Sequence, residues 1–545
     1  MTKNFDVIIV GMGPSGLVLA GLLASYGIEV GIFEKNKSTV KEPRAVSIDD
    51  ESLRILQSFS LHKAVLENVS QNYGSHYYDA KGKLFLKVEP NSCENGFFKR
   101  NAFDQPTFES TLRKHLEGKK NININFSHTL ISIKNETNRV IANFEDSKGI
   151  KKSIFGRYLV GCDGGQSTVR DLIGVVMRGS TFNQKWLVVD IYNTKNFFRH
   201  TQVYCNPKRP SITLPGPNDI RRYEFKLNDG EGSKKLSEDF TRKLIASVGV
   251  DGQAKIRRSQ VYQFHALIGS DWKKKSVFIA GDAAHLSPPF AGQGMNSGIR
   301  DVGNLGWKLA LAVKMPQSSN ILETYFLERK EHCWALINLA IRMGKIMMPK
   351  NSLYSFFNAS FFRLIKLNKT LLSYISQMKY RPKPKLKTGL IFFHGKETRD
   401  DKKLIGTLFP QPLVQDKAGI LSNLDEVLGN KFSLVCYIKN HETYISLEKH
   451  LNNFSKTCKV VVLLNQSCMI FPSRHKVVRD FNNLLEKMET RVPENSVLLL
   501  RPDKLVSAIY KKNNLHYLSN LLNNNEIFSF CLLYTSDAAD DSYRV

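Results

Sequence analysis

The chain of 545 residues is too long for one hydrophobic core, because single cores stop growing at roughly 250 to 300 residues, so we expect at least two domains. A hydrophobic content of 42% and a charged content of 23% exclude a wholly disordered chain. The formal net charge of +28 raises the question of a nucleic-acid or membrane partner. The basic residues are scattered, with no run longer than Lys273–Lys275, so a Lys- and Asn-rich composition is the simpler explanation and we expect neither partner.

The eight cysteines form no CxxC pair and no metal-like spacing with histidine, so we expect reduced thiols and no metal site. Asp6 and several glycines interrupt the N-terminal apolar segment, which argues against a signal peptide. The apolar segment Trp334–Met348 contains Arg342 and Lys345, and its uncharged run is shorter than the ~20 residues of a membrane span. We therefore expect a core helix there and a cytoplasmic protein.

The N-terminal region has the pattern of a βαβ unit. Phe5–Val10 is a strand-like run, Gly16–Tyr26 has helical length, and Glu29–Phe33 is a second strand. Between the first two lies Gly11–Gly16, a G-x-G-x-x-G turn whose glycines allow a tight turn, close approach of a pyrophosphate, and helix–strand packing. Glu34 follows, where a carboxylate can accept ribose hydroxyls. This context favours dinucleotide binding over a glycine-rich turn with a surface glutamate.

Two later strands also end on turns. The strand before Asp163–Gly164 leads into a short helix, and Ser276–Ala280 leads into Gly281–His285. After Pro289 and a glycine-bearing turn, a long helix is predicted from Met295 to Val313. Three strand ends then point the same way, and ligands bind at such carboxyl ends in doubly wound sheets. As alternatives, Asp163 is an ordinary turn residue and Asp282 a helix cap, and we interpret His285 as structural.

These patterns predict an α/β protein with several domains. Arg222–Phe225 is typical of the strand-like segments that suggest a sheet inserted into the N-terminal domain, and alternating strands and helices follow Pro384. The predicted parts are a discontinuous N-terminal domain (1–175 and 271–330), an inserted sheet domain (176–270 with part of 72–100), a helical region (331–395), a C-terminal domain (396–531) and a tail (532–545). The tail begins near Tyr534 and resembles translated adapter DNA, so we expect it to be non-native.

Three separated motifs resemble those of the class A flavoprotein monooxygenases of the para-hydroxybenzoate hydroxylase type. They are Gly11–Gly16 with Glu34, Cys162–Arg170, and Gly281–Asn296. Further matches place the chain near the branch that contains 3-(3-hydroxyphenyl)propionate and pentachlorophenol hydroxylases, namely Pro43–Ala45, Asp49–Glu51, Gln105–Pro106, Arg222–Phe225 and Arg501–Asp503. The resemblance covers nearly the whole chain. It implies a Rossmann-like FAD-binding domain, an inserted mixed β-sheet substrate domain and a C-terminal thioredoxin-like domain, the last without a CxxC.

The resemblance also implies the cofactor site. The glycine turn would bind the FAD pyrophosphate, Glu34 the adenosine ribose, and Asp282 the ribityl chain. Asp163 would serve both FAD and the nicotinamide. A helix N-terminus near the flavin pyrimidine would stabilise negative charge on the reduced flavin. The residues implied for FAD are Gly11, Gly13, Pro14, Ser15, Gly16, Glu34, Lys35, Arg44, Gln105, Asp163, Gly281, Asp282, Pro289, Gly292, Gln293, Gly294, Met295 and Asn296.

The implied activity is hydroxylation of a small phenolic acid with NADH or NADPH and O2, through a flavin C4a-hydroperoxide. Arg222 could bind a substrate carboxylate or pair within the sheet, and Tyr223 is a second candidate for the substrate. No residue can be assigned the proton-transfer role from sequence. The alternatives left open are a hydroxylase of larger polyketides or antibiotics and an inactive flavoprotein-derived binding protein, and a homodimer is left open for the assembly.

Overall fold

The computed structural model describes residues 4–39, 43–231, 236–488, 492–524 and 527–528. The tail predicted at 532–545 lies outside the described residues. The chain divides into two compact units, and the domain boundaries drawn from the sequence remain a prediction beside this division. The first unit contains Met1–Cys93, Phe97–Val302 and Cys333–Pro382, and the second contains Glu94–Gly96, Gly303–His332 and Lys383–Val545.

The strands are numbered in chain order. They are β1 (Asn4–Val10), β2 (Val30–Glu34), β3 (Ser47–Ile48), β4 (Val69–Gln71), β5 (Ser75–Tyr78), β6 (Leu84–Val88), β7 (Asn101–Phe103), β8 (Ile122–Phe126), β9 (His128–Asn135), β10 (Val140–Asp146), β11 (Lys151–Gly161), β12 (Met177–Tyr192), β13 (Thr201–Tyr204), β14 (Ser211–Pro215), β15 (Arg221–Lys226), β16 (Lys255–Gly269), β17 (Lys273–Lys274), β18 (Val277–Ile279), β19 (His285–Leu286), β20 (Leu413–Gln415), β21 (Leu421–Asn423), β22 (Ser433–Ile438), β23 (Lys459–Leu464), β24 (Lys476–Asp480), β25 (Ser496–Leu500) and β26 (Val506–Lys511).

The helices follow the same numbering. They are α1 (Pro14–Ser25), α2 (Asp50–Gln57), α3 (His62–Leu66), α4 (Gln105–Glu117), α5 (Thr168–Leu172), α6 (Glu238–Ala246), α7 (Gly294–Lys314), α8 (Thr324–Met347), α9 (Ser352–Ile365), α10 (Lys369–Ser376), α11 (Arg399–Leu404), α12 (Leu424–Leu428), α13 (His441–Phe454), α14 (Leu484–Lys487) and α15 (Leu515–Asn524). Within the described residues, none of them combines the length and apolar character that a bilayer crossing requires.

The first sheet of the first unit aligns the three strand ends that the sequence predicts. Its order is β17-β18-β11-β1-β2-β8, with β10 and β9 attached beside β11. β1 pairs in parallel with β2 and β11, and β11 pairs in parallel with β18. Val10 lies opposite Gly161, and Gly161 lies opposite Ile279, so the strands end at one level. The predicted convergence is therefore confirmed.

The second sheet of this unit has the order β19-β16-β12-β15-β14-β13-β5-β6. Side chains alternate between the two faces of a strand, so Arg222 and Glu224 of β15 point away from Tyr223 and Phe225. Tyr223 and Phe225 pack into a hydrophobic cluster with Leu187. Arg222 and Glu224 line a cavity on the other face. One face of this sheet is thus core and the other is a cavity wall.

The second unit is built on a seven-stranded sheet in the order β21-β20-β24-β23-β22-β25-β26. β22, β23 and β24 are parallel, whereas β25 and β26 are antiparallel. A buried ion network lies in the same unit, where Arg501 makes two hydrogen bonds of 2.8 and 2.9 Å to Glu328 and Lys308 donates to Glu328 at 2.7 Å. Glu328 therefore pairs with two buried cations, and Arg501 also pairs with Asp503 at 2.6 Å. The α/β class predicted for the chain is confirmed in both units.

Replacing Glu328 by glutamine is expected to lower the free energy of unfolding by about 3 to 5 kcal/mol, because the buried Lys308 loses its ion pair with Glu328 and the buried Arg501 keeps only Asp503 as a counter-charge among the described residues. The measurement is denaturant unfolding followed by circular dichroism. The matched control is Glu331→Gln, whose ion pair with Lys387 is 65% and 74% exposed and should change stability by less than about 1 kcal/mol. Equal effects of the two substitutions on the free energy of unfolding would contradict the role of Glu328 in the buried ion network.

Candidate active site

A cavity of about 390 Å³ lies in the first unit, at the level where β1, β11 and β18 end. Its wall includes Gly13 after β1, Gly164 after β11 and Asp282 after β18. Arg222 and Glu224 of the second sheet belong to the same wall. The structure thus brings the three separated sequence motifs to one space.

The three glycines of the first turn have different surroundings. A Cβ added to Gly11, at φ +99°, would lie 2.4 Å from the carbonyl oxygen of Cys162, and one added to Gly16 would lie 2.1 Å from the carbonyl oxygen of Gly11. A Cβ on Gly13 would meet nothing within 4 Å. Pro14 then begins α1, where its missing N–H is not needed. Gly13 is therefore the glycine that leaves room for a ligand at the start of α1.

Glu34 ties the end of β2 to this turn. One carboxylate oxygen accepts from the backbone N–H of Met12 at 3.0 Å, and the other accepts from the backbone N–H of Asn36 at 3.0 Å. Lys35 is exposed and is not part of the cavity wall. The structure therefore places Glu34 beside the glycine turn and Lys35 away from the cavity.

Asp163 organises its own turn. One carboxylate oxygen accepts from the Ser167 hydroxyl at 2.5 Å, and the other accepts from the backbone N–H of Val169 at 3.0 Å. Desolvation raises the pKa of Asp163, and these hydrogen bonds oppose the rise. These are the contacts of an ordinary turn residue, which is the alternative that the sequence left open for Asp163. The next residue, Gly164, lines the cavity.

Asp282 differs from Asp163 because it receives no hydrogen bond to its carboxylate from any residue that the structure describes. Its side chain is exposed toward the cavity, although protein surrounds it on the other sides. Desolvation raises the pKa of Asp282, and the charges of His285 and Arg44 oppose the rise. Gly281, at φ +63°, makes the turn that presents it. A carboxylate with free acceptor capacity thus faces the cavity.

His285 stands behind this turn and has the structural role predicted from sequence. It is completely buried, and its Nε2 lies 2.6 Å from a carboxylate oxygen of Asp301. Burial lowers the pKa of His285, but the charges of Cys333 and Asp301 outweigh burial and raise the pKa well above its ordinary value. Asp301 also accepts from the backbone N–H of Gly281 at 3.1 Å, so the pair supports the Asp282 turn.

The N-terminus of α7 opens on the cavity. Gly292, at φ +62°, turns the chain, and a Cβ on Gly294 would meet nothing within 4 Å. Asn296 is buried and fixes this turn, because its amide donates to the carbonyl of Gly292 at 2.8 Å while its oxygen accepts from the Ser52 hydroxyl at 2.8 Å. The free N–H groups at a helix start favour an anion. The cavity wall here comprises Pro289, Gly292, Gln293, Gly294 and Met295.

The loop before β3 holds Arg44 at the cavity. The side-chain oxygen of Gln105 accepts from the backbone N–H groups of Arg44 and Ala45 at 3.0 and 2.7 Å. From the other side, Arg222 donates to the carbonyls of Arg44 and Pro43 at 2.7 and 2.6 Å. The Arg44 side chain itself is exposed to the cavity. Gln105 and Arg222 therefore position the loop, and the Arg44 side chain is available to bind a ligand in the cavity.

The two candidate substrate residues lie on opposite faces of β15. Arg222 is buried and forms a two-point ion pair with Asp190, with distances of 2.7 and 3.0 Å. This is the sheet pairing that the sequence left as one of two readings. The Tyr223 hydroxyl donates to Asp251 at 2.7 Å on the face away from the cavity. The structure does not bring Tyr223 to the cavity, because neighbouring residues of a strand point in opposite directions.

Asp49–Glu51, a segment singled out for its resemblance, anchors a corner of the cavity. Arg381, which lines the cavity, contacts Glu51 at 2.6 Å, Asp49 at 3.0 Å and Asp50 at 3.2 Å. Arg300 of α7 contacts Asp49 and also Glu51, the latter at 2.5 Å. Buried charges of both signs thus fasten α2 to the start of α7 and to Arg381.

Other wall residues come from segments in which the sequence showed no motif. Arg100 donates to the Ser75 hydroxyl and, at 3.1 Å, to the Tyr73 hydroxyl. The neutral phenols of Tyr77 and Tyr380 lie close enough to Arg100 for its positive charge to oppose the rise that burial causes in their pKa values. These residues are separated by up to about 300 positions, so no local pattern could have grouped them.

One further cluster lies outside the cavity wall. Potential metal ligands of His76, Glu89 and His200 all lie within 4.8 Å of one another, whereas the sequence predicted no metal site. The Nδ1 atom of His200 accepts from the backbone N–H of Gly74 at 2.8 Å. A hydrogen bond from His76 lowers the pKa of Glu89. The three side chains are thus held by one another and by the backbone.

A glycine turn with room for a ligand, a helix N-terminus and a free carboxylate around one cavity fit a dinucleotide with a flavin. Residues 4–340 match the family model described as FAD binding domain, and residues 406–525 match the HcaD C-terminal domain. The chain therefore belongs to the FAD-binding domain family. It is an FAD-dependent aromatic hydroxylase, an enzyme of the oxidoreductase class.

Curated relatives match almost the full chain. A 3-(3-hydroxy-phenyl)propionate/3-hydroxycinnamic acid hydroxylase of Mycolicibacterium gilvum (strain PYR-GCK) is 33% identical over 511 residues, covering 93% of this chain and 89% of the relative. The protein of the same name from Paraburkholderia xenovorans (strain LB400) is 31% identical over 554 residues, with the same coverage of 93% and 89%.

Solved structures share the fold. The flavin-dependent monooxygenase PieE, in complex with FAD and substrate, has a TM-score of 0.77 at 17% identity and covers 97% of this chain and 99% of its own. Aklavinone-11 hydroxylase, in a ternary complex with FAD and aklavinone, has a TM-score of 0.70 at 17% identity and covers 97% and 100%.

Glu224 provides a test of the electrostatics of the wall. Desolvation raises its pKa from 4.5 to about 6, against the opposing charge of Arg222. Because the pKa of Glu224 is higher in the folded than in the unfolded protein, ionising this carboxyl lowers the free energy of unfolding. This loss of stability is absent below pH 4.5 and complete above about pH 6. Glu224→Gln should therefore raise stability by about 2 kcal/mol at pH 7.5, since one pKa unit corresponds to about 1.4 kcal/mol, with little change at pH 4.

The measurement is thermal unfolding of FAD-loaded protein at both pH values. Glu231→Gln is the control with the opposite sign, because a hydrogen bond from Arg209 lowers the pKa of Glu231. A loss of stability on replacing Glu224 at pH 7.5 would contradict the prediction.

Proposed function

We propose that the enzyme hydroxylates the ring of a 3-hydroxyphenyl-substituted short-chain acid, such as 3-(3-hydroxyphenyl)propionate or 3-hydroxycinnamate. The observation that carries the proposal is the match to hydroxylases of that name across 93% of the chain. In the balanced reaction, NAD(P)H, a proton, O2 and the phenolic acid give NAD(P)⁺, water and the hydroxylated acid. One oxygen atom enters the ring and the other leaves as water.

The described residues fit an FAD at the strand ends. The start of α1 at Gly13 and Ser15 would hold the pyrophosphate, and Arg44 would add a positive charge to it. Asp282 would accept from the ribityl hydroxyls, and the start of α7 at Gly294 would face the flavin pyrimidine. The Glu34 oxygen that accepts from Met12 has a further lone pair, with which it would accept from the adenosine ribose. When bound, FAD supplies the redox chemistry that connects the nicotinamide with O2.

The chain itself contributes position and exclusion of water. Arg222 acts as a positioning residue, because it clamps the two carbonyls of the Arg44 loop. Phe264 and Phe290 pack edge to face, with ring centroids 5.7 Å apart, and form part of the apolar wall beside Met343. A dry apolar wall protects a reactive oxygen donor from water. The role of Asp163 toward the nicotinamide, the cytoplasmic location and a homodimer stay predictions.

The function is tested by supplying purified FAD-loaded enzyme with NADH or NADPH and a series of aromatic substrates. We expect 3-(3-hydroxyphenyl)propionate to stimulate NAD(P)H oxidation and to gain one oxygen atom by mass spectrometry. Hydroxylation of aklavinone-like polyketides without turnover of the phenolic acids would favour the large-substrate alternative. A protein that binds no FAD would support the inactive binding protein instead.

Gly13→Ala tests the cofactor placement. Because an added Cβ meets no protein atom within 4 Å, the free energy of unfolding of FAD-free protein should change by less than about 1 kcal/mol. The methyl group would occupy the space assigned to the pyrophosphate, so the Kd for FAD should rise at least about tenfold by fluorescence titration. Gly118→Ala, also open to space but at the end of α4, should leave the Kd unchanged. Unchanged FAD binding in both variants would exclude this placement.

A further inference from the structure

Five arginines line the cavity, namely Arg44, Arg100, Arg222, Arg258 and Arg381. They differ in whether a protein carboxylate forms an ion pair with them. Arg222 pairs with Asp190, and Arg258 lies 3.7 Å from the same carboxylate. Arg381 contacts the three acids of Asp49–Glu51. Within the described residues, Arg44 and Arg100 have no carboxylate within ion-pair distance. Two cations in the wall are thus available to anions from outside the protein.

Arg44 and Arg100 lie in different parts of the cavity wall. Arg44 lies in the loop fixed by Gln105, and its charge acts on Asp282 at the strand ends. Arg100 is bound to Ser75 of β5, in the second sheet. The first position is the one proposed for the cofactor phosphates, so the second is available to another anion.

The surroundings of Arg100 supply hydrogen bonds but no negative charge. Its guanidinium lies over the Tyr73 ring, 4.3 Å from the centroid, and donates to the Tyr73 and Ser75 hydroxyls. Burial raises the pKa values of Tyr77 and Tyr380 above the ordinary range, so both phenols stay neutral and can donate to a ligand. A guanidinium has five N–H donors, so capacity remains for a two-point contact.

The cavity wall near these tyrosines is otherwise apolar, and it suits an apolar group of a ligand. Tyr77 belongs to a hydrophobic cluster with Val203 and Ile212, and Met343 and Met378 pack against that cluster. An apolar wall with a single unbalanced cation is suited to an aromatic ring that carries one carboxylate on a short arm.

We propose that Arg100 binds the carboxylate of the substrate, with the Tyr73, Tyr77 and Tyr380 hydroxyls beside it, and so selects aromatic acids over neutral phenols. The inference rests on the proposed function and identifies its specificity residue. It replaces Arg222, whose guanidinium is occupied by Asp190, as the anchor for the acid.

The test uses FAD-loaded protein and two ligands without a ring hydroxyl, 3-phenylpropionate and its neutral amide, 3-phenylpropanamide. Binding is followed by calorimetry and by the flavin absorbance spectrum. The unaltered protein should bind the acid about 10- to 100-fold more tightly than the amide, the range expected for a charge-assisted two-point contact. Arg100→Gln should abolish that preference while leaving the affinity for the amide within about threefold.

Arg342→Gln is the matched control, because it removes the same charge from an exposed position of α8 outside the cavity wall. It should keep the preference for the acid. Retention of the preference in Arg100→Gln would overturn the proposal. Equal binding of acid and amide by the unaltered protein would overturn it too, and that result does not depend on the variant folding.

Failure of the proposed function has a separate signature. In that case the unaltered enzyme forms no oxygenated product from 3-(3-hydroxyphenyl)propionate with NAD(P)H, whatever the binding preference for the acid. If turnover occurs, Arg100→Gln should raise KM for the acid about 10- to 100-fold and change kcat much less, because the lost contact is made equally in substrate and transition state.

Discussion

The contact on which the cavity depends is the close approach of Gly11 to the carbonyl of Cys162. A side chain at Gly11 would lie 2.4 Å from that oxygen, and Gly16 packs against Gly11 with the same intolerance. These contacts let β1 and β11 end side by side, with Cys162 donating its N–H to the carbonyl of Val10 at 2.7 Å. The glycine turn and the Cys162–Gly164 turn therefore share one backbone surface, and the cavity begins there.

Charge then divides the cavity wall into fixed and available groups. Arg222 and Arg381 are bound to buried carboxylates, and their work is to hold the loop of Arg44 and the segment Asp49–Glu51 in place. Buried ion pairs of this kind add little net stability but fix geometry, because their components cannot be left unpaired. Arg100 and Asp282 lack such partners among the described residues. Binding capacity is thus found where the protein leaves a charge unbalanced.

Local patterns predicted much of the framework. The strand Phe5–Val10, the glycine turn and the long helix from Met295 appear within a few residues of the predicted positions, because alternation, glycine spacing and apolar runs are properties of neighbouring residues. The edge on which the turns meet was also predictable, since parallel strands share their carboxyl ends. The individual roles were less accessible. Asp163 and Asp282 both follow a strand, yet Asp163 is bound by Ser167 and Val169 within its own turn, whereas Asp282 faces the cavity.

The sequence by itself determined that three turns with glycine or aspartate meet at one edge of a parallel sheet, and with the family resemblance it indicated FAD. Only the tertiary structure decided which charges are satisfied. Arg222 meets Asp190 across neighbouring strands, and Arg100 meets tyrosines from distant parts of the chain. The physical reason is that ion pairing and burial depend on distances in space, and positions in sequence carry no information about a partner some 30 or 300 residues away.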